Sequence, residues 1–208
     1  MPKEFTFTVD DHEFLRHGDN ALGMRIYRPD GPGPFPAVID LHGGAWSKGN
    51  LAECQARDKV LARRGIVAIA IDFRQAGDGY PSALVDINYA VRWVKANAAT
   101  LGTRADLVSM TGQSSGGHLA MLAAMRPDDP RYAAIALPAG SPAVDATVRS
   151  IVMTWPVINP LSRLRHLQRH TEAGTIPSQY TEIAVRQSSF WQNDTNMTDG
   201  NPMLILER

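Results

Sequence analysis

Leu107-Val108-Ser109-Met110-Thr111-Gly112-Gln113-Ser114-Ser115-Gly116-Gly117-His118-Leu119-Ala120 is the stretch whose reading decides the fold. Its first five residues read as a strand ending at Gly112, and Ser115 to Met125 reads as a helix. Between them Gly112-Gln113-Ser114-Ser115-Gly116 matches the pattern G-x-S-x-G. A serine hydroxyl attacks only when a sharp turn presents it clear of its own backbone, and flanking glycines let such a turn pack against its neighbours. Ser114 is therefore the candidate nucleophile, at the carboxyl end of a strand, where open parallel sheets bind ligands. The helix behind it turns amide N–H groups and a positive dipole end toward a developing oxyanion. Ser115, one position on, contributes its backbone N–H to that oxyanion. The bare pattern also occurs in ordinary strand-to-helix turns; its place between strand and helix gives it weight.

Working outward, the same alternation recurs. Ala37-Val38-Ile39-Asp40-Leu41 is a short apolar run, Leu51 to Arg64 reads as a helix closed by Gly65, and Ile66 to Ile71 is a fully apolar run ending at Asp72. Such runs suit central strands covered on both faces. Ser82 to Ala99 carries Leu84, Ile87, Ala90, Val91 and Val94 at helical spacing, with Ser82 in the N-cap position. Ser150 to Trp155 is a further strand. Strands alternating with helices predict an α/β fold, a mostly parallel sheet with helices on both faces. Glu4–Val9, with Phe5, Phe7 and Val9 alternating, and Ala21–Tyr27 read as an antiparallel edge before the breaker run Pro29–Pro34. Residues 1–208 form a single domain on this reading. Residues 156–197, polar and without a strand signal, form a helical lid or insertion.

His42-Gly43-Gly44-Ala45-Trp46 follows the Ala37–Leu41 strand. Paired glycines let backbone approach a substrate carbonyl and aim N–H groups at it, although a tight Gly-Gly turn reads the same way. Together with Asp72-Phe73-Arg74, Tyr80 to Asp86, Trp93-Val94 and Gly112 to Ala120, this loop makes residues 35–125 resemble the α/β-hydrolase superfamily. The resemblance is to its hormone-sensitive-lipase-like and kynurenine-formamidase-like esterases. It implies Ser114 as nucleophile, the amides of Gly43, Gly44 and Ser115 as oxyanion hole, and hydrolysis of small carboxylic esters through an acyl-enzyme without a cofactor or metal. An arylformamidase or peptidase on the same scaffold, or a binding module without activity, are the alternatives. Two departures bear on substrate preference: Ala45 stands where many relatives carry a third glycine, and Gln113 precedes the serine where an acid is common.

The superfamily order is serine, acid, histidine. After Ser114 the histidines are His118, His166 and His170. His118, one turn into the helix, is expected to pack beneath the elbow. His166 and His170 share a helix face that could line a pocket or bind a metal; a solvated lid face is the expected reading, because a third ligand of a zinc site is not evident. Only one clear strand follows the nucleophile, so the last core strands, the acid and the base are expected beyond Arg208, in a complementary C-terminal segment or chain. Trp46 and Trp191 are assigned to the substrate pocket; Trp155 reads equally as a pocket residue or as core packing. Asp72 and Arg74 are expected to brace the loop after their strand, Asp194 and Asp199 to serve as turn or cap residues, and Cys54 to be a half-buried helical cysteine.

Composition bounds the partners. Lys plus Arg and Asp plus Glu number 21 each, giving a formal net charge of zero, which argues against nucleic acid or an anionic membrane surface. The single cysteine forbids an intrachain disulfide. No signal-peptide pattern and no apolar run near the roughly 20 residues of a membrane span occurs, so a cytoplasmic protein is expected.

Overall fold

The apolar runs pair into one six-stranded sheet. In this computed structural model, which describes residues 4–206, the strands are β1 (Phe7–His17), β2 (Asn20–Pro29), β3 (Ala37–Leu41), β4 (Val67–Ile71), β5 (Val108–Gln113) and β6 (Ile151–Thr154). Their order across the sheet is β1-β2-β4-β3-β5-β6. β1 pairs antiparallel with β2, and β2 antiparallel with β4, whereas β4, β3, β5 and β6 run parallel. The chain steps from β3 outward to β4, then returns to the other side of β3 to lay down β5. The connections leaving β3 and β5 thus diverge, and a crevice opens between their carboxyl ends. Leu41 is level with Gly112 in the β3–β5 register, so the loops after both strands emerge side by side.

Helices cover both faces. On one, α2 (Ser82–Ala96) and α3 (Ser115–Met125) bury Leu84, Ile87, Val91, Leu119 and Leu122 against Ile39, Leu41, Val67, Ile69 and Ile71. On the other, α1 (Gln55–Arg63) sets Ala62 against Tyr27 and Ala68. The alternation of β4, with Val67, Ile69 and Ile71 toward one cluster and Ala68 toward the other, is the period-two rule acting on a strand buried on both sides. Four further helices follow β6: α4 (Pro160–Glu172), α5 (Gln179–Trp191), α6 (Asp194–Asp199) and α7 (Pro202–Leu206). Leu164, Phe190, Trp191 and Met197 from this region are buried in the main cluster. Among the described residues no helix is long and apolar enough to cross a membrane.

Some boundaries differ from the sequence reading. The first strand runs Phe7–His17 rather than 4–9 and is largely exposed, with Val9 46% accessible, because an outer strand pairs on one side only. Residues 51–54 form a separate 3₁₀ turn before α1. Ser82 is the first residue of α2, not its cap; Pro81 holds the cap position and the Ser82 hydroxyl donates to the Gly79 carbonyl at 2.5 Å. Met203–Leu206, an apolar run in the sequence, lies in α7.

Two buried charge clusters tie the layers. Asp86 on α2, with no exposed surface, accepts from the Arg74 backbone N–H at 2.8 Å, from the Arg74 guanidinium at 2.9–3.1 Å, and meets His17 Nε2 at 2.9 Å. It locks the end of β1 and the loop after β4 to one helix. Arg74→Ala, which leaves that carboxylate with His17 as its remaining side-chain partner, is expected to lower the unfolding free energy by about 3 kcal/mol in a urea titration.

The second cluster lies under α1. Arg57 binds Asp40 with two parallel hydrogen bonds of 2.6 and 2.5 Å, and fully buried Asp58 lies beside Asp40 with neither oxygen partnered. Burial, with Asp40 next to it, pushes the Asp58 carboxyl well above the usual carboxylate range. The folded chain therefore holds a proton that the unfolded chain releases above about pH 4, so this group's stabilising contribution is full below that pH and drains as pH rises. Asn at 58 is neutral in both states. Urea titrations should show Asp58→Asn losing less stability than the wild type between about pH 5 and about pH 8.

Candidate active site

Ser114 sits between β5 and α3 with φ 53° and ψ −120°, a left-handed conformation that a β-carbon tolerates only at a cost of about 1–3 kcal/mol. The surrounding backbone enforces it. The Ser114 N–H donates to the Thr154 carbonyl of β6 at 3.0 Å, and its own carbonyl accepts from His118 N at 3.1 Å. Glycine is required where the turn meets its neighbours. A β-carbon on Gly116 would lie 2.3 Å from the His42 carbonyl oxygen and 2.4 Å from that of Leu41; one on Gly112 would lie 2.6 Å from the Gly116 carbonyl. Ser115 opens α3, so its N–H has no carbonyl within the helix to bond.

The loop after β3 faces this turn. A β-carbon on Gly43 would lie 3.5 Å from that of Ser114. No hydrogen bond joins the Gly43 or Gly44 amide to another described residue. The Gly44 carbonyl is spent on the N–H groups of Ser47 and Lys48, and Gly44 itself has φ 113° with no room for a β-carbon against Lys48. Ala45 and Trp46 continue in the left-handed region at φ 54° and 61°. Ala45, standing where glycine would be unstrained, accepts that conformation without relief. His42 holds the loop from within. It is buried, stacked on Phe73 with ring centroids 4.3 Å apart, and its Nδ1 meets the Gly43 carbonyl at 2.7 Å. Burial lowers its pKa, so the ring is neutral and donates from Nδ1 to that carbonyl. Because carbonyl and following N–H point opposite ways across a trans peptide, this bond turns the Gly44 N–H away from His42.

The structure does not bring every residue singled out from the sequence to Ser114. Trp46 and Trp191 are 2% and 0% exposed and meet edge to face, with centroids 5.6 Å apart. They belong to the core beneath the loop rather than to a solvent-facing pocket, because the left-handed turn at 45–46 points the Trp46 ring inward. His118 closes that cage. Trp46 Nε1 donates to His118 Nδ1 at 3.3 Å, and His118 Nε2 donates to the Gly200 carbonyl at 2.9 Å. Both nitrogens are engaged, and burial pushes the pKa down to about 4, so this imidazole is a structural element of the core.

The open space beside Ser114 is a cavity of about 530 Å³ whose walls include Trp155, Ile158, Arg163, His166 and Arg169. Trp155, 74% exposed with φ 38°, lies just past β6 and lines it. His166 lines it too, with its ring 4.3 Å from that of His170, whose Nδ1 meets the Thr175 hydroxyl at 2.7 Å. Arg163 escaped sequence reading, since one arginine among several in a polar helix carries no signal of its direction. Gln113 is explained: its Oε1 accepts from Arg57 Nη1 at 3.3 Å, so the residue before Ser114 joins the Asp40–Arg57 pair and braces the turn to β3 and α1. Asp72 accepts from Leu51 N at 2.8 Å, as a loop brace should. Asp194 is the first residue of α6 and pairs with Arg165. Asp199 is more than a cap: it meets the Tyr80 hydroxyl at 2.5 Å, Arg126 at 3.1 Å and Arg131 at 2.8 Å. Cys54 lies in the 3₁₀ turn, fully buried, and burial pushes its thiol pKa up, which keeps it from acting as a nucleophile.

Residues 24–181, most of the sheet together with the turn at Ser114, match the model of the BD-FAE family. The chain belongs to the BD-FAE family. It is also similar to esterases of other organisms. Esterase LipC of Mycobacterium tuberculosis is 38% identical over 118 residues, 55% of this chain and 29% of LipC. An arylesterase of Saccharolobus solfataricus is 33% identical over 103 residues, 49% of this chain and 34% of that protein. The chain thus spans about a third or less of the curated relatives it matches. Among solved structures, Thermogutta terrifontis esterase 2 phosphorylated by paraoxon superposes with a TM-score of 0.63 at 26% identity, over 74% of this chain and 59% of that one. The BD-FAE chain carries the α/β-hydrolase fold of these esterases.

The packing around the turn generates a sharp expectation. Gly116→Ala places a methyl group against two fixed carbonyl oxygens. It should cost about 3 kcal/mol or more in thermal or urea unfolding, at the upper end of overpacking penalties, whereas Gly77→Ala, with open space around it, should be nearly neutral.

Proposed function

We propose that this chain supplies the nucleophile and oxyanion hole of a serine carboxylesterase acting on small esters. The observation that carries the reading is the left-handed Ser114, set on its turn beside Gly43, with amides of Gly43, Gly44 and Ser115 free of other acceptors. In this reading Ser114 Oγ attacks the ester carbonyl carbon and its proton passes to a general base. The carbonyl oxygen becomes an oxyanion held by the three amides. Collapse expels the alcohol, which takes the proton, and water then releases the acid from the acyl-enzyme by the same steps. The positioning role falls to His42, through the Gly43 carbonyl it binds.

The base and its orienting acid are assigned to a complementary segment. Among the described residues no imidazole is hydrogen-bonded to Ser114; His118 is fully engaged in the core and His166 lines the cavity without such a bond. Support for such a segment comes from the relatives, whose matched stretches make up 29% and 34% of their length.

Paraoxon or a short alkyl phosphonate tests the reading, by analogy with the phosphorylated Thermogutta esterase. Intact mass and peptide mapping should place one adduct on Ser114, absent from Ser114→Ala. Hydrolysis of a short-chain p-nitrophenyl ester should fall about 10³-fold or more in that variant when the chain is assayed with its complementary segment. An unlabelled Ser114 in that preparation, with small ligands still bound saturably, would make the chain a binding module instead.

A further inference from the structure

The cavity that opens on Ser114 is electrostatically one-sided. Arg163, His166 and Arg169 line it from α4, spaced three residues apart, and among the described residues no carboxylate lines it. Arg163 stands out among them. Its side chain is partly buried, yet among the described residues no carboxylate pairs with it. Its interactions are one long hydrogen bond of 3.4 Å from Nη1 to Gln187 Oε1 and the face of Trp46, with the guanidinium carbon 5.9 Å from the ring centroid. By contrast, Arg57, Arg74 and Arg126, also partly buried, each meet a carboxylate. Burial of Arg163 without a counter-ion depresses its pKa, though a guanidinium stays charged. A desolvated cation lacking a partner is costly, and an anion seated against it recovers that cost through charge-assisted, bidentate hydrogen bonds.

The surroundings favour the same sign. The cavity is lined by Asn159 and Ser162, the cap and first turn of α4, where the helix dipole is positive. The lining also includes apolar Trp155 and Ile158, 74% and 49% exposed, which offer contact to a short hydrocarbon chain. An amphiphilic ligand with one charged end matches this lining better than a wholly neutral one.

We propose that the esters accepted at this site carry a free carboxylate, which Arg163 receives, with Arg169 adding long-range attraction and the hydrocarbon portion lying along Trp155 and Ile158. A monoester of a short dicarboxylic acid is the chemical class. The proposal rests on Ser114 as the nucleophile only for the direction in which the ester group points; the anion site itself is independent of turnover.

Equilibrium titration of the Ser114→Ala chain separates the two. Monomethyl glutarate, with monomethyl succinate and adipate to vary the span, is compared with neutral dimethyl glutarate, using tryptophan fluorescence or calorimetry. The monoester of best-fitting length should bind about tenfold more tightly than the diester at low salt. That preference should shrink as salt screens the charge. Adding Arg163→Gln should erase the preference. Arg169→Gln, at an exposed position that does not threaten folding, should reduce the preference and its salt dependence. Equal affinities for monoester and diester, no monoester binding, or a preference that survives both arginine substitutions overturns the anion site. Anion preference retained alongside failure of paraoxon to label Ser114 would instead remove the nucleophile and leave the anion site standing.

Discussion

The close approach of α3 to the end of β3 is the contact on which the rest of the site depends. Gly116 lies so near the carbonyls of Leu41 and His42 that no side chain fits between them. Packing at that distance brings the first turn of α3 beside the loop leaving β3. Ser114, forced into a left-handed bend at the head of α3, then stands next to Gly43. A helix held a methyl group's width farther away would leave the turn unstrained and the two loops apart. The parallel register that sets Leu41 level with Gly112 makes the approach available, and the divergence of the connections from β3 and β5 leaves the space above it open.

Buried polar groups stabilise this arrangement from two directions. Below β3, the Asp40–Arg57 pair reaches Gln113 and so holds the residue before the nucleophile candidate. Behind the loop after β3, His42 fixes the Gly43 carbonyl, and the chain of Trp46, His118 and the Gly200 carbonyl ties the loop to the segment between α6 and α7. Apart from the local His42–Gly43 contact, each link joins segments well separated in the sequence. These hydrogen bonds lie in a low-dielectric interior, where a broken one costs more than at the surface. The positive φ values of Ala45 and Trp46 are sustained by the same packing, since the buried Trp46 ring anchors a backbone conformation that its own β-carbon opposes.

The helices after β6 serve both the core and the cleft. Phe190 and Trp191 complete the aromatic cluster under the loop, while α4 places Arg163 and Arg169 at the space beside Ser114. One face of this region is thus interior and another is the wall of the candidate site. The two roles are linked through Arg163, which touches Trp46 in the core and the cavity at once.

The sequence alone determined the strand–turn–helix around Ser114, the glycine pair at 43–44, the alternation that makes an α/β sheet, and the burial of His118. Each of these is encoded within a few neighbouring residues, through hydrophobic period, glycine placement or one helical turn. The tertiary structure decided what local pattern does not carry. Trp46 and Trp191 proved to be core and Trp155 cavity wall, because the direction of a side chain depends on which element lies across from it. Asp199 became a hub for Tyr80, Arg126 and Arg131, and Arg163 was left without a counter-ion, through contacts between segments far apart in the chain. The outer strand β1 gave the weakest reading from sequence for a related reason: with a partner on one side only, it is largely exposed and its alternation is blurred. Periodicity reports burial against a neighbour, so it is clearest where neighbours lie on every side and faintest at an edge or in a cleft.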